Sequence, residues 1–212
     1  GKYRPAWAHE GPKLQQRRWH HVVGTWDGKT KALWVDGRQV GQWPHAALVR
    51  PGRGGLRLGA CAKHGLATNF LDGDLAMPAI SARALSPAEI LKRYEEAGLC
   101  PAGGRNVLAC WPLAEERGSR VADISGQDRH GRIVNEATWM IGGPSYDASL
   151  TPYYAYYGPY DPKQDARRGH ALRLAADDLY DCRWQVTQSY RVPAEARPGL
   201  YVGRFRYELD AE

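Results

Sequence analysis

A chain of 212 residues, 43% apolar and 25% charged, is long enough to bury a core and has the composition of a globular protein. No apolar run approaches the roughly 20 residues that a helix needs to cross a bilayer, so a membrane-spanning helix is excluded. The net charge of +6 is uneven: residues 1–58 hold eleven Lys or Arg against three acids, and the rest of the chain sums to −2. These basic residues are scattered and no nucleic-acid-binding signature accompanies them, so they read as a solvated face and nucleic acid is not expected as a partner.

Eight Trp and twelve Tyr against two Phe and two Met favour ring-lined, pleated surfaces over helical cores. From Trp19 to Trp43 the text WHHVVGTWDGKTKALWVDGRQVGQW predicts a three-stranded meander, turning at Asp27-Gly28 and Asp36-Gly37. LRLGA at 56–60 and the segment from Asn69 continue the strand and turn rhythm, with Pro78 marking an edge or bend. A short helix follows: Ser86 is its N-cap, Pro87 its first position, Glu89 closes a capping box and Gly98 lies just past its end. Ile90, Leu91, Tyr94 and Ala97 form its apolar stripe, and Lys92, Arg93, Glu95 and Glu96 face water. PAGGR at 101–105 then precedes a second strand set, VLACWPL and RIVN, separated by the turn residues SGQDRHG. Residues 142–169 read as an ordered loop or linker, and WQVTQSYRV at 184–192 and GLYVGRFRYEL at 199–209 as strands.

The chain opens on Gly1 without an initiator Met or a secretory pattern, which points to a processed or truncated start. Cys61, Cys100, Cys110 and Cys182 form no CxxC pair, which removes zinc-knuckle and thioredoxin-type readings. Buried free thiols and a cytoplasmic location are the expectations.

WHHVVGTWDGKTKALWVDGRQVG followed by FLDGDLAMPAISARALSPAEILKRYE resembles the second half of a laminin-G or concanavalin A-like domain. The remainder is similar to the corresponding stretch of the large (beta) subunit of the N,N-dimethylformamidase family. The shared features are the W-x-L strand at Trp111 to Leu113, the D-x-S-G…HG turn at Asp123 to Gly131, the acidic segment at Asp177 to Trp184, and the V-P…G-x-Y strand at Val192 to Tyr201. The resemblance implies a mostly β chain, an antiparallel jelly-roll sandwich with one short helix and an extended C-terminal connector. Its expected divisions are a sandwich region at 1–141, a Tyr/Pro/Gly-rich connector at 142–183 and the first strands of a following domain at 184–212. It further implies an accessory, subunit-contact region of an amidohydrolase that cleaves a formamide to formate and an amine. The iron of such an enzyme would be held by tyrosine and carboxylate ligands beyond this chain, so no cofactor is expected within it. The remainder of the large subunit and a small subunit are the expected partners, in an oligomer without a membrane. The rival reading is a carbohydrate-binding or adhesive laminin-G module.

No catalytic set is visible in the sequence. His20 and His21 are neighbours on a predicted strand and point to opposite faces, so they cannot share one metal ion. His130 in its turn is expected to bond backbone. Asp177, Asp178 and Asp181 form the densest acidic patch, with His170 nearby, and are candidates for a hard cation such as Ca²⁺, although turns and caps account for most such loops. Asp72 and Asp74 are weaker candidates of the same kind. Tyr153, Tyr154, Tyr156, Tyr157 and Tyr160 are candidates for a ligand or interface surface: platforms for sugar rings, phenols near a metal in the manner of the resembled family, or rings packed on a neighbouring domain, the favoured reading.

Overall fold

The computed structural model describes residues 11–46, 55–63, 66–135, 137–150, 161–175, 185–186, 189–197, 199 and 201–203. Contacts divide the chain into two units, residues 1–177 and 178–212. The described structure is mostly β, with small antiparallel sheets and one α-helix.

The expected meander is present as β1 (Val22–Trp26), β2 (Thr30–Val35) and β3 (Arg38–Pro44). Its two Asp-Gly turns work differently. Asp36 and Gly37 both take positive φ, 50° and 75°, as a two-residue hairpin turn requires. At the first turn only Gly28 does so, and the Asp27 carboxylate instead accepts from the N–H groups of Lys29 and Thr30 at 2.9 and 2.7 Å.

Residues 56–60 are not the expected strand, because Gly59 takes φ +83° and turns the run; its carbonyl accepts from Leu71 N–H at 2.7 Å. Pairing begins only at β4 (Cys61–Lys63), which meets β5 (Leu66–Thr68). β6 (Gly73–Leu75) and β7 (Ala79–Ser81) flank Pro78, whose carbonyl accepts from Trp111 N–H.

Helix α1 (Pro87–Glu96) has the capping box that its sequence specifies, Ser86 and Glu89 each serving the other's backbone. It ends on left-handed Ala97 and Gly98. Ile90 is fully buried, and Leu91 and Tyr94 lie against Gly37 of the second hairpin turn. Leu91 remains 45% exposed, so the helix seals its side of the fold chiefly through Ile90 and Tyr94. Arg93 and Glu96, expected in water, are half-buried.

β8 (Val107–Cys110) pairs with β7, and its continuation is the most buried stretch described. Ala109, Trp111 and Leu113, at period two, enter a core with Val121 and Leu172, while Cys110 turns to a second cluster with Ala102 and Val107. This segment thus meets apolar side chains on both faces, although β8 pairs only with β7 among the described strands. β9 (Arg120–Val121) pairs with β10 (Gly131–Arg132), so that of RIVN only Arg132 is strand. β11 (Thr138–Met140) and β6 flank β12 (Ala171–Leu174), which therefore lies at the centre of its sheet. Described residues 185–186 and 189–192 carry no strand, and 187–188 and 204–209 lie outside the described residues.

The tryptophans fasten loops to this frame. Indole N–H groups of Trp19, Trp26, Trp111 and Trp139 donate to the carbonyls of Gly142, His45, Arg129 and Gly118 at 2.7–3.0 Å. Trp111 is buried and the other three are half-buried, and each satisfies one loop carbonyl.

Of the cysteines, Cys110 is buried, as expected of a free thiol, whereas Cys61 and Cys100 are exposed; Cys182 lies outside the described residues.

Two substitutions test the helix. Ser86→Ala is expected to cost about 1 kcal/mol through the lost cap, and Ile90→Ala about 2–5 kcal/mol through the cavity it leaves. Urea unfolding followed by far-UV circular dichroism checks both; equal losses would show that Ile90 is not the anchor.

Candidate functional site

The densest polar network described joins the TrpProLeu segment to the Asp123–Gly131 turn. Cys110 N–H and Ser125 N–H both donate to Asp123 Oδ1 at 2.9 Å, and Arg129 N–H donates to Oδ2 at 3.0 Å. Ser125 Oγ–H completes the set at 2.8 Å from Oδ2. Asp123 N–H in turn donates to His130 Nδ1 at 3.0 Å, so His130 bonds the backbone of its own turn. Trp111 Nε1–H reaches Arg129 O across the same loop, and Ile124 N–H donates to Cys110 O. Burial alone would raise the Asp123 pKa, but these donors together hold its carboxyl well below the ordinary value of 3.8. Every bond from this carboxylate thus fixes protein backbone or its own turn.

The meander presents a second arrangement. His20 Nδ1 lies 2.8 Å from Asp36 Oδ2, while His21 N–H donates to Asp36 Oδ1 at 2.9 Å. The His21 ring stacks on Tyr94 at 6.4 Å between centroids, and burial, with Arg93 nearby, lowers its pKa. The two imidazoles therefore serve different partners, although both residues precede β1. Trp26, Lys31 and Trp43 face one another in register across β1, β2 and β3 and are half-buried. Trp43 lies over Gly41, where a Cβ would come within 2.1 Å of its ring.

A third feature is a groove of about 460 Å³ beside the exit of α1. Its wall includes Met77, Leu99, Pro112, Ala114, Ile124 and Pro144. Its polar side chains are Glu115, Ser145, Lys163, Gln164 and His170. Glu115 sits between Leu113 and Glu116, which hold φ of 61° and 56°, a left-handed backbone unusual for such side chains. Its Oε1 accepts from Ala122 N–H, whereas its Oε2 is buried without a hydrogen-bond partner. His170 is delivered by a close backbone crossing: Gly143 N–H donates to Gly169 O at 2.7 Å, and a Cβ on Gly169 would lie 2.6 Å from Gly143 N. Its ring, 5% exposed, sets Nε2 3.3 Å from Asp165 O and Nδ1 3.9 Å from Glu116 Oε1. Burial lowers the His170 pKa, opposed by Glu116, Glu115 and Asp165 and assisted by Arg168. Glu116 itself is engaged by Arg168 Nε at 2.7 Å.

The sequence-derived candidates Asp177, Asp178 and Asp181, and Tyr153, Tyr154, Tyr156, Tyr157 and Tyr160, lie outside the described residues. Asp72 is exposed; Asp74 Oδ1 is buried, 3.9 Å from Arg173 Nη1, so its charged neighbour is a guanidinium. Among the described residues no group of three or more His, Cys, Asp or Glu is placed to hold a metal ion. Glu115 was not singled out by sequence, because its significance depends on the groove that surrounds it.

Asp123→Asn places an N–H₂ against donors and is expected to lower the melting temperature by several degrees at pH 7. The depressed carboxyl adds stability that is complete above about pH 4 and falls as pH drops below it. The gap between the melting temperatures of wild type and variant should therefore be constant from pH 7 to about pH 5 and narrow, without closing, as pH falls to 3; a gap that stays constant to pH 3 would remove the carboxylate from this role.

Comparison with known proteins places the first part of the chain. A family model described as the concanavalin A-like lectin/glucanases superfamily, of laminin-G type, matches residues 1–91. A search of curated proteins found no match. Among solved structures, the chain is similar to an S-layer domain-containing protein (residues 221–444) from Clostridium thermocellum ATCC 27405, at 26% identity with a TM-score of 0.34. That alignment covers 40% of this chain and 42% of the other, less than half of each. The family match assigns a laminin-G/concanavalin A-like domain to residues 1–91.

Proposed function

We propose that this chain is a non-catalytic, laminin-G-type accessory region of a dimethylformamidase-like amidohydrolase large subunit, and that it supplies scaffold and subunit contact. The observation that carries the reading is the Asp123 clamp. Trp111, Asp123, Ser125, His130 and Gly131, the residues of the W-x-L and D-x-S-G…HG likeness, belong to one hydrogen-bonded unit, and its bonds hold backbone. A group whose donors and acceptors are spent on its own frame positions structure rather than substrate. In this reading residues 1–91 belong to a jelly-roll sandwich that the rest of the large subunit completes, and iron with its ligands lies outside the chain. Hydrolysis of a formamide to formate and an amine would then belong to the whole enzyme, with metal supplying carbonyl polarisation or an activated water.

A second reading, glycan recognition, is favoured by the Trp26–Lys31–Trp43 row, which lies within the segment matched to the lectin/glucanase superfamily. Aromatic rings on a sheet face offer flat apolar contact, and a neighbouring ammonium can donate to hydroxyls. Fold alone does not select between the two, since sandwiches host many functions.

The purified chain is expected to show no dimethylformamide hydrolysis and no stoichiometric iron, while unfolding cooperatively. Turnover accompanied by bound iron would overturn the scaffold reading. Glycan-array binding that disappears in both Trp43→Ala and Gly41→Ala, the latter displacing the ring without removing it, would transfer the function to the second reading.

A further inference from the structure

We propose that Arg120 and Arg132, paired across β9 and β10, form a binding site for a doubly charged oxyanion, the phosphoryl group of a phosphate monoester. The site lies outside residues 1–91 and goes beyond the scaffold reading, which needs no ligand.

Strand register brings the two side chains together. Arg132 stands directly opposite Arg120 in the antiparallel pair. Ile133 N–H donates to Ser119 O at 2.7 Å, one step further along the ladder. Arg120 and Arg132 therefore occupy a position where the strands exchange no hydrogen bonds of their own and side chains lie closest. Cβ atoms at such a pair are about 4.5–5.5 Å apart. Alternation then sets their direction. Val121 and Ile133, the next residue on each side, pack into the core, so both arginines point to the opposite face, and both are exposed.

Like charges directly opposite each other work against strand pairing, here in a ladder of only two residue pairs. The protein does not answer them: among the described residues neither guanidinium has an ion pair or a side-chain hydrogen bond. The acids of the same stretch are engaged elsewhere. Asp123 is taken by its clamp, Glu116 by Arg168, and Asp128 Oδ1 lies 3.5 Å from His130 Nε2. Two guanidiniums on one face offer two planar forks of N–H donors, the shape that matches the oxygens of a tetrahedral oxyanion. A dianion answers both charges at one point, whereas a monoanion answers one. A phosphate monoester carries close to two charges at neutral pH and three acceptor oxygens, enough to serve both forks.

Phenyl phosphate and phenyl sulfate share a ring and a tetrahedral group and differ in charge, so they separate dianion recognition from general attraction to a basic surface. Titrated into the full 15N-labelled chain at pH 7 and low salt, phenyl phosphate should shift the backbone amide signals of Arg120 and Arg132. It should bind at least about fivefold more tightly than phenyl sulfate. Methyl phosphate should match phenyl phosphate within about twofold, because recognition rests on the phosphoryl group. Arg120→Gln and Arg132→Gln should each reduce phenyl phosphate to the level of phenyl sulfate. Arg117→Gln removes the same charge from an exposed neighbour outside the pair and should leave the affinity unchanged. Equal binding of phosphate and sulfate, no binding of either, a preference that survives Arg132→Gln, or an equal loss in Arg117→Gln would each overturn the proposal.

Discussion

The structure depends on one buried carboxylate. Asp123 takes hydrogen bonds from Cys110, Ser125 and Arg129 and thereby locks a loop onto the strand that passes between two apolar clusters. Hydrophobic burial has no direction, so it can pull residues 107–113 inward without fixing which loop lies beside them. Charge-assisted hydrogen bonds do have direction, and here they select one partner segment. From that junction the core extends through Trp111 and Leu113 to Val121 and Leu172, and so to the sheet with β12 at its centre.

A second theme is how a chain of short strands stabilises its connections. Many of the strands span only two to four residues, too few for pairing alone to order the loops between them. Indole N–H groups of four tryptophans, the Asp27 and Asp36 carboxylates, and the crossing of Gly143 with Gly169 answer loop backbone groups one by one. The abundance of Trp has this explanation as well as that of pleated surfaces. At Gly169 the need is steric: the two chains meet so closely that a side chain would collide with the Gly143 backbone.

The groove contrasts with this economy. Asp123 has donors for both of its oxygens, whereas Glu115, eight residues earlier on the same route, has one oxygen answered and one not. Its neighbours Leu113 and Glu116 hold left-handed backbone angles that ordinary loops avoid. Two carboxylates of nearby sequence thus differ in whether the protein itself completes their hydrogen bonding.

The sequence by itself determined the elements whose causes are local. Ser86, Pro87, Glu89 and Gly98 delimit the helix because capping is an interaction of near neighbours, and Asp36-Gly37 fixes its turn because few other pairs tolerate positive φ at both positions. It also revealed the laminin-G-type pattern now matched over residues 1–91. Gly59 shows where local reading failed, since an apolar pattern at 56–60 suggested a strand that one left-handed residue turned away. Only the tertiary structure decided that VLACWPL, rather than the Trp-rich meander, is the most buried segment, and that β12 joins β6 and β11 across long stretches of chain. It alone brought Glu115 and His170 into one groove. Long-range burial and pairing depend on which surfaces meet, and no spacing within a single segment encodes that meeting.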